Sequence, residues 1–375
     1  MKSLKIGVAT VPISKSGIPP LSNLMEMLST YSENLCLFTG NDGYTYFTSD
    51  PRFHVEGRVY PARGTSLLAR FFHYFWIQIT TARQIVSRRN DVDLWIFFFG
   101  GYRLHLPLVT AKLLKKQVIL LLADSGGRHT ESMDDIRSRL PKLFGNFPYE
   151  HADKIIIYSP RLITDFHLES YGHKIHIAQE HFLDFNTFTV TTPFSKRPLL
   201  IGYLGRFSEE KGIQQFLKAL PAILDNQKDL RILIGGDGPL RESVETSVEA
   251  SKNSTRVDIP GWIDHNNLPG YLNQIRLLII PSSTESGPIT LLEAMACGTP
   301  VLATRVGMIP DIIRDGETGF ILENNSPGCI VENVTRALSS PDLEKIAEAG
   351  RRFVVENYTF DSAVARWKNI LEESG

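Results

Sequence analysis

Short apolar runs alternate with longer stretches of helical spacing along this chain, and the alternation starts afresh once, near residue 190. Residues 5–11, 35–39, 94–100, 118–123 and 154–159 read as strands buried on both faces, with helices such as 107–115 between them. After 187–197, a stretch rich in Thr, Ser and Pro, the second series runs 199–204, 231–235, 257–259, 277–281, 300–303 and 319–322. Alternating β and α signals predict parallel sheets with helices on both sides. Two series in 375 residues, more than one core usually organises, predict an α/β protein of two doubly wound, Rossmann-like domains facing across a cleft. The expected domains are 1–188 and 189–356. An amphipathic helix in 357–375 should cross back to the first.

Open parallel sheets bind ligands beyond the carboxyl ends of their strands, so chemistry is sought in the loops directly after strands. A formal net charge of −1 gives no global field to draw in nucleic acid. Cys36, Cys297 and Cys329 lack metal-ligand spacing and read as free thiols of a cytoplasmic protein, and the histidines show no zinc-like pattern. The apolar start is too short for a signal peptide, and no run approaches a spanning helix.

Three loops of the second series stand out. Gly205-Arg206-Phe207-Ser208-Glu209-Glu210-Lys211-Gly212 follows the first strand and opens a helix; two cations beside a helix N-terminus suit a diphosphate, or simply face solvent. Gly235-Gly236-Asp237-Gly238-Pro239 allows close approach of a ligand, or only a tight turn. Then comes Pro281 to Pro300, where a loop carrying Glu285 leads into a helix whose first turns hold Glu293 and which Gly298 ends. Amides at Gly287, Ile289 and Thr290 can meet an anion, whereas Pro288 has none to offer. Complementing the helix dipole would explain one acid here, but not the glycine-containing loop before it.

From Ile201 to Phe320, these motifs together with Pro260-Gly261-Trp262 and Gly316-Glu317-Thr318-Gly319-Phe320 resemble the retaining GT-B glycosyltransferases of family 4 (glycosyl transferases group 1). The resemblance implies that a hexosyl unit moves from a nucleoside diphosphate sugar (UDP or GDP) to a hydroxyl of a glycan or lipid-linked acceptor. Arg206 and Lys211 offer two positive charges to the departing diphosphate, and the Asp-x-Asp pair Asp91 and Asp93 precedes a strand far from these loops, so neither a metal nor a further cofactor is expected. Carried over, Arg206 and Lys211 bind the donor diphosphate, beside Gly205 and Gly236. Glu285 lies against sugar hydroxyls and Glu293 accepts from the ribose diol. Amides at Ser286, Gly287, Ile289 and Thr290 meet phosphate or sugar oxygens, and the backbone near Ile259 and Trp262 holds the base. Glu285, Arg206 and Lys211 form the catalytic set.

This chain departs from the family where Ser286-Gly287-Pro288 replaces Gly-Phe-Gly and where Ser16-Gly17 replaces two adjacent glycines. It departs again where Asp124 stands in place of a His, with His129 close behind. Ser16, Gly17, Asp124 and His129 are the candidates for the acceptor or sugar side, although Asp124 could simply cap a helix. A sugar-nucleotide epimerase or hydrolase on the same architecture is the alternative. Between Ser66 and Arg89, Leu68, Phe71, Phe72, Phe75, Trp76, Ile79 and Ile85 recur at helical spacing beside Arg70, Arg83 and Arg88. Core packing is the commoner cause of such a stripe; peripheral contact with the inner membrane face is the other reading.

Overall fold

The computed structural model describes residues 4–60, 67–123 and 145–372. Ser66, Asp124 and His129 lie outside these residues, as do the side chains of Leu68 and Arg70. The chain divides into two compact units, Met1–Phe182 with Phe360–Gly375, and Leu183–Thr359.

In the first unit the described residues form a seven-stranded sheet: β1 Ile6–Ala9, β2 Leu35–Gly40, β3 Phe53–Arg58, β4 Leu94–Phe97, β5 Gln117–Leu122, β6 Lys154–Ile157 and β7 Ile175–Ile177. The order is β3-β2-β1-β4-β5-β6-β7, parallel throughout. The inner strands β1, β2 and β4 are buried at every position, because helices cover both faces. Gly7 lets the Trp95 ring lie flat on β1, since a Cβ there would sit 2.4 Å from that ring. The edge strands β3 and β7 are half-exposed and mix polar with apolar residues, so no apolar run marks them in the sequence. Helix Phe360–Glu372 belongs to this unit, through Tyr31 Oη donating to the Val364 carbonyl (2.6 Å) and Lys154 Nζ to that of Ile370 (2.7 Å).

The second unit contains β8 Leu200–Leu204, β9 Arg231–Gly235, β10 Val257–Gly261, β11 Leu277–Ile280, β12 Val301–Thr304 and β13 Phe320–Leu322. Their order is β10-β9-β8-β11-β12-β13, again parallel. Both sheets are thus the α/β architecture read from the sequence. One face of the second sheet packs on helices Ile213–Asn226 and Pro327–Leu338, around Phe216, Ile223, Ile232, Ile279 and Val334. Arg197 enters this unit buried. Its guanidinium donates to the carbonyls of Ile275 (3.0 Å) and Cys297 (2.6 Å) and to Thr299 Oγ1 (2.8 Å), and burial draws its pKa down to about 10. The cage fastens the start of the unit to the C-terminal end of helix Ile289–Ala296, which carries Glu293.

Each sheet reverses its strand order once, between β1 and β4 and between β8 and β11. At such switch points the two following loops part in opposite directions and leave a crevice.

Candidate active site

Loops after β8 and β11 meet at the switch point of the second unit. Lys211, from the first, donates through Nζ to Glu285 Oε1, from the second, at 2.6 Å; Ser282 Oγ donates to the same oxygen at 2.8 Å. The Glu285 side chain is 6% exposed and that of Lys211 31%. Both bonds converge on Oε1, which leaves Oε2 as an acceptor for a ligand hydroxyl.

Backbone contacts hold the Glu285 loop from two sides. Gly212, at φ +69°, lies so close to the Pro281 carbonyl that a Cβ would stand 1.9 Å from its oxygen. Gly307, at φ +53°, presses on the Glu285 carbonyl in the same manner. Ser283 adds an amide bond to the Glu210 carbonyl at 2.8 Å. No side chain fits at either glycine without displacing the loop, so Gly307 joins the residues that fix the site, although no ligand motif marks it.

Arg206 does not join the Lys211–Glu285 pair. Its exposed guanidinium pairs with Glu210, four residues on, and Nε reaches Ser208 Oγ at 3.4 Å. Burial alone would raise the Glu210 carboxyl, yet bonds from Ser208, its own amide and Arg206 hold it below the usual range. Tyr203 Oη donates to the Arg206 carbonyl at 3.1 Å and to that of Lys211 at 3.4 Å, which closes the turn carrying both cations.

The glycine loop after β9 packs against its neighbours. A Cβ on Gly236 would stand 1.9 Å from the Gly205 carbonyl oxygen, and the Gly236 amide donates to the Gly261 carbonyl at 2.7 Å. Its glycine is therefore required by the close approach of three backbone segments. Within β10, Ile259 is half-buried, and just beyond the strand the Trp262 ring is exposed.

Glu293 lies one turn into helix Ile289–Ala296 and is 3% exposed. Its Oε1 is held at 2.7 Å by Nε2 of His265, from the loop after β10, and the Phe188 ring sits against that imidazole (centroids 5.2 Å). The bond to Glu293 raises the His265 pKa above its ordinary value, against the opposing effect of burial. His265 has no motif around it, and only the fold brings it to Glu293. At the start of the helix, the amides of Ser286, Gly287, Ile289 and Thr290 donate to no group among the described residues. They are the orphan donors of a helix N-terminus.

Ser16 and Gly17 lie in the first unit, in a turn after β1, with Ser16 exposed and Gly17 half-buried. The other loop of that switch point, after β4, holds Phe99 at φ +38°, an unusual conformation for a bulky side chain, followed by Gly100 at φ +68°. Backbone strain of this kind concentrates at functional sites. Asp91 and Asp93 are engaged elsewhere, on Arg88 (3.4 Å) and Lys116 (3.0 Å). Among the described residues no group of three or more His, Cys, Asp and Glu is placed to hold a metal ion, and no helix is long and apolar enough to cross a membrane.

The fold and this crevice define a GT-B type architecture, which solved structures share. The structure aligns with HepE from Anabaena in complex with UDP at a TM-score of 0.77 and 16% identity, over 99% of this chain and all of that one. It aligns with sucrose-phosphate synthase from Thermosynechococcus elongatus at 0.76 and 18% identity, over 99% and 98% of the two chains. Residues 184–353 match the glycosyl transferases group 1 model. Among curated relatives, alpha-D-kanosaminyltransferase of Streptomyces kanamyceticus is 29% identical over 180 residues, 48% of this chain and 46% of that protein. A GDP-mannose-dependent alpha-(1-6)-phosphatidylinositol dimannoside mannosyltransferase of Mycobacterium tuberculosis is 30% identical over 168 residues, 44% and 42% of the two. The match thus spans about half the length of each relative.

Proposed function

We propose that this protein transfers a hexosyl unit from a UDP- or GDP-sugar to a hydroxyl of a glycan or lipid-linked glycan, with retention of configuration and without a metal ion. The observation that carries this reading is the meeting of Lys211 with the buried Glu285 carboxylate at the β8/β11 switch point.

Transfer breaks the bond between the anomeric carbon and the diphosphate, so negative charge grows on the leaving oxygen. Arg206 and Lys211 supply two fixed cations on the loop where that diphosphate would lie, and the orphan amides from Ser286 to Thr290 add donors that need no reorganisation. Glu293 offers its second oxygen to the ribose diol, with His265 fixing the first. Glu285 Oε2 accepts from a sugar hydroxyl, and the exposed Trp262 ring gives the base a flat apolar surface. Retention follows from attack on the face the diphosphate leaves, with that phosphate accepting the acceptor's proton. Similar proteins support the donor class: HepE is seen in complex with UDP and glucose, and the mycobacterial protein is named a GDP-mannose-dependent phosphatidylinositol dimannoside mannosyltransferase.

A lipid-linked acceptor would bring the protein to a membrane surface as a peripheral protein, and the exposed aromatics of helix Leu67–Ser87 favour that contact. The reaction is tested by thermal shift against UDP-, GDP- and ADP-sugars, followed by donor consumption with and without glycan acceptors. We expect one UDP- or GDP-sugar to raise the melting temperature, and its consumption to require an acceptor. Consumption indifferent to acceptors would instead mark a hydrolase or epimerase.

A further inference from the structure

Helix Leu67–Ser87 exposes its bulkiest apolar side chains. Its inward face holds Gln78, 4% exposed, which donates to the Arg103 carbonyl (2.7 Å) and accepts from the Leu106 amide (3.0 Å), together with buried Thr81. Its outward face holds Phe72 (69% exposed), Phe75, Trp76 (53%), Ile79 and Val86, at the spacing of one helical stripe, with Arg83 in line. Ile77 and Ile85 are buried, so the stripe read as core divides, with its bulkiest members facing water.

The neighbouring helix His105–Leu113 extends the apolar face with Leu106 and Leu113. A shallow trough of about 370 Å³ lies at their junction, lined by Ile79, Ala82, Arg83, Val86, Ser87 and Leu106. The hydrogen bonds of Gln78 offset its burial, whereas the exposed Phe and Trp side chains have no such compensation, and contiguous exposed apolar surface marks an interaction site.

Charge identifies the occupant. Between Gly57 and Asn90, and again between Leu94 and Ala123, the sequence contains no Asp or Glu, whereas the first stretch alone carries Arg58, Arg63, Arg70, Arg83, Arg88 and Arg89. Arg58, Arg83, Arg89 and Lys115 are exposed and make no ion pair among the described residues. Arg58 lies over the Trp76 ring, 5.5 Å from its centroid. Glu56 and Asp91 flank the first stretch and are held by Arg88 (2.7 and 3.4 Å), so exposed aromatics beside Arg58, Arg83 and Arg89 suit an anionic bilayer surface.

We propose that these two helices form one docking face for anionic membrane lipid, with Phe72, Trp76 and Ile79 inserting at the acyl boundary and Arg58, Arg83 and Arg89 meeting lipid phosphates. The inference rests on the reading of a lipid-linked acceptor for its purpose, but binding is measurable without any acceptor. The test is sedimentation with vesicles of phosphatidylcholine alone or mixed equally with phosphatidylglycerol, and transfer to a water-soluble glycan is measured in parallel. We expect at least about tenfold stronger partitioning onto the anionic vesicles, weakened by salt. Phe72→Ser/Trp76→Ser and Arg83→Ser/Arg89→Ser should each lower it by about tenfold or more while soluble transfer is unchanged. Failure of wild type to sediment with anionic vesicles, or equal binding to both kinds, overturns the proposal. So does a dimer by light scattering that Phe72→Ser/Trp76→Ser converts to monomer, which would assign the face to a second copy. Loss of soluble transfer with vesicle binding intact would instead refute the catalytic reading and leave the docking face standing.

Discussion

Lys211→Ala tests whether the Lys211–Glu285 pair is a structural as well as a chemical unit. The substitution leaves a carboxylate only 6% exposed with Ser282 as its remaining partner, at 2.8 Å. Removing one member of a fully buried pair costs roughly 3–5 kcal/mol. The Lys211 side chain is 31% exposed, so water can enter the vacated space, and the loss falls towards the value of a hydrogen bond to a charged group, about 2–3 kcal/mol. For a unit of this size each kcal/mol moves the melting temperature by roughly 2–4 °C, which places the expected drop at about 4–12 °C. Glu285→Gln removes the buried charge and leaves a lysine that can turn to solvent. The double variant Lys211→Ala/Glu285→Gln should therefore melt above Lys211→Ala alone. Calorimetric melts of the four proteins give the coupling directly. Strictly additive losses, or a Lys211→Ala protein melting within about 2 °C of wild type, would show that Glu285 does not depend on the lysine.

Further expectations concern the carboxylates and their partners. Glu293→Gln should weaken donor binding by roughly 1.5–3 kcal/mol in a titration, whereas Glu285→Gln should mainly lower turnover; wild-type affinity and rate in both would remove them from the site. His265 has a pKa raised by Glu293, so its contribution to stability is complete below the ordinary histidine value and is lost as pH rises through the higher folded value. Melts of wild type and His265→Ala should therefore converge as pH climbs past neutrality, and a constant gap would contradict the ion pair. Burial pushes the Cys297 thiol up to about 12 and that of Cys36 to about 11. Both should resist a disulfide reagent at neutral pH until the protein unfolds.

The sequence carried the inner strands clearly because residues such as Ile6, Leu37 and Ile279, buried on both sides, leave unbroken apolar runs. It did not carry β3 or β7, whose edge positions let His54, Glu56 and His176 into the strand. The loops that carry Arg206, Lys211, Glu285 and Glu293 were legible from their place directly after strands, but the partners of these side chains were not. His265 reaches Glu293 across 28 residues, and no signal in the motif singles out Glu210 as the partner of Arg206. The glycine at 236 signalled a close approach, and the fold assigns that approach to the Gly205 carbonyl. The aromatic stripe could not be oriented from its period alone, because helical spacing says which residues share a face but not what covers it.

The central claim is that protein cations, rather than a divalent metal, carry the charge that develops on the departing nucleotide. It is tested most directly by following transfer from the bound sugar nucleotide in excess EDTA, with wild type and Arg206→Ala side by side. Arg206 is exposed and, among the described residues, its guanidinium meets Glu210 and Ser208, so its replacement should leave the fold intact. Wild-type transfer should continue undiminished under chelation. Preorganised charges aimed at a developing anion contribute about 2.7–4 kcal/mol each, so Arg206→Ala should lower the rate at least about a hundredfold. Activity abolished by EDTA and restored by magnesium or manganese, with Arg206→Ala near the wild-type rate, would contradict the account.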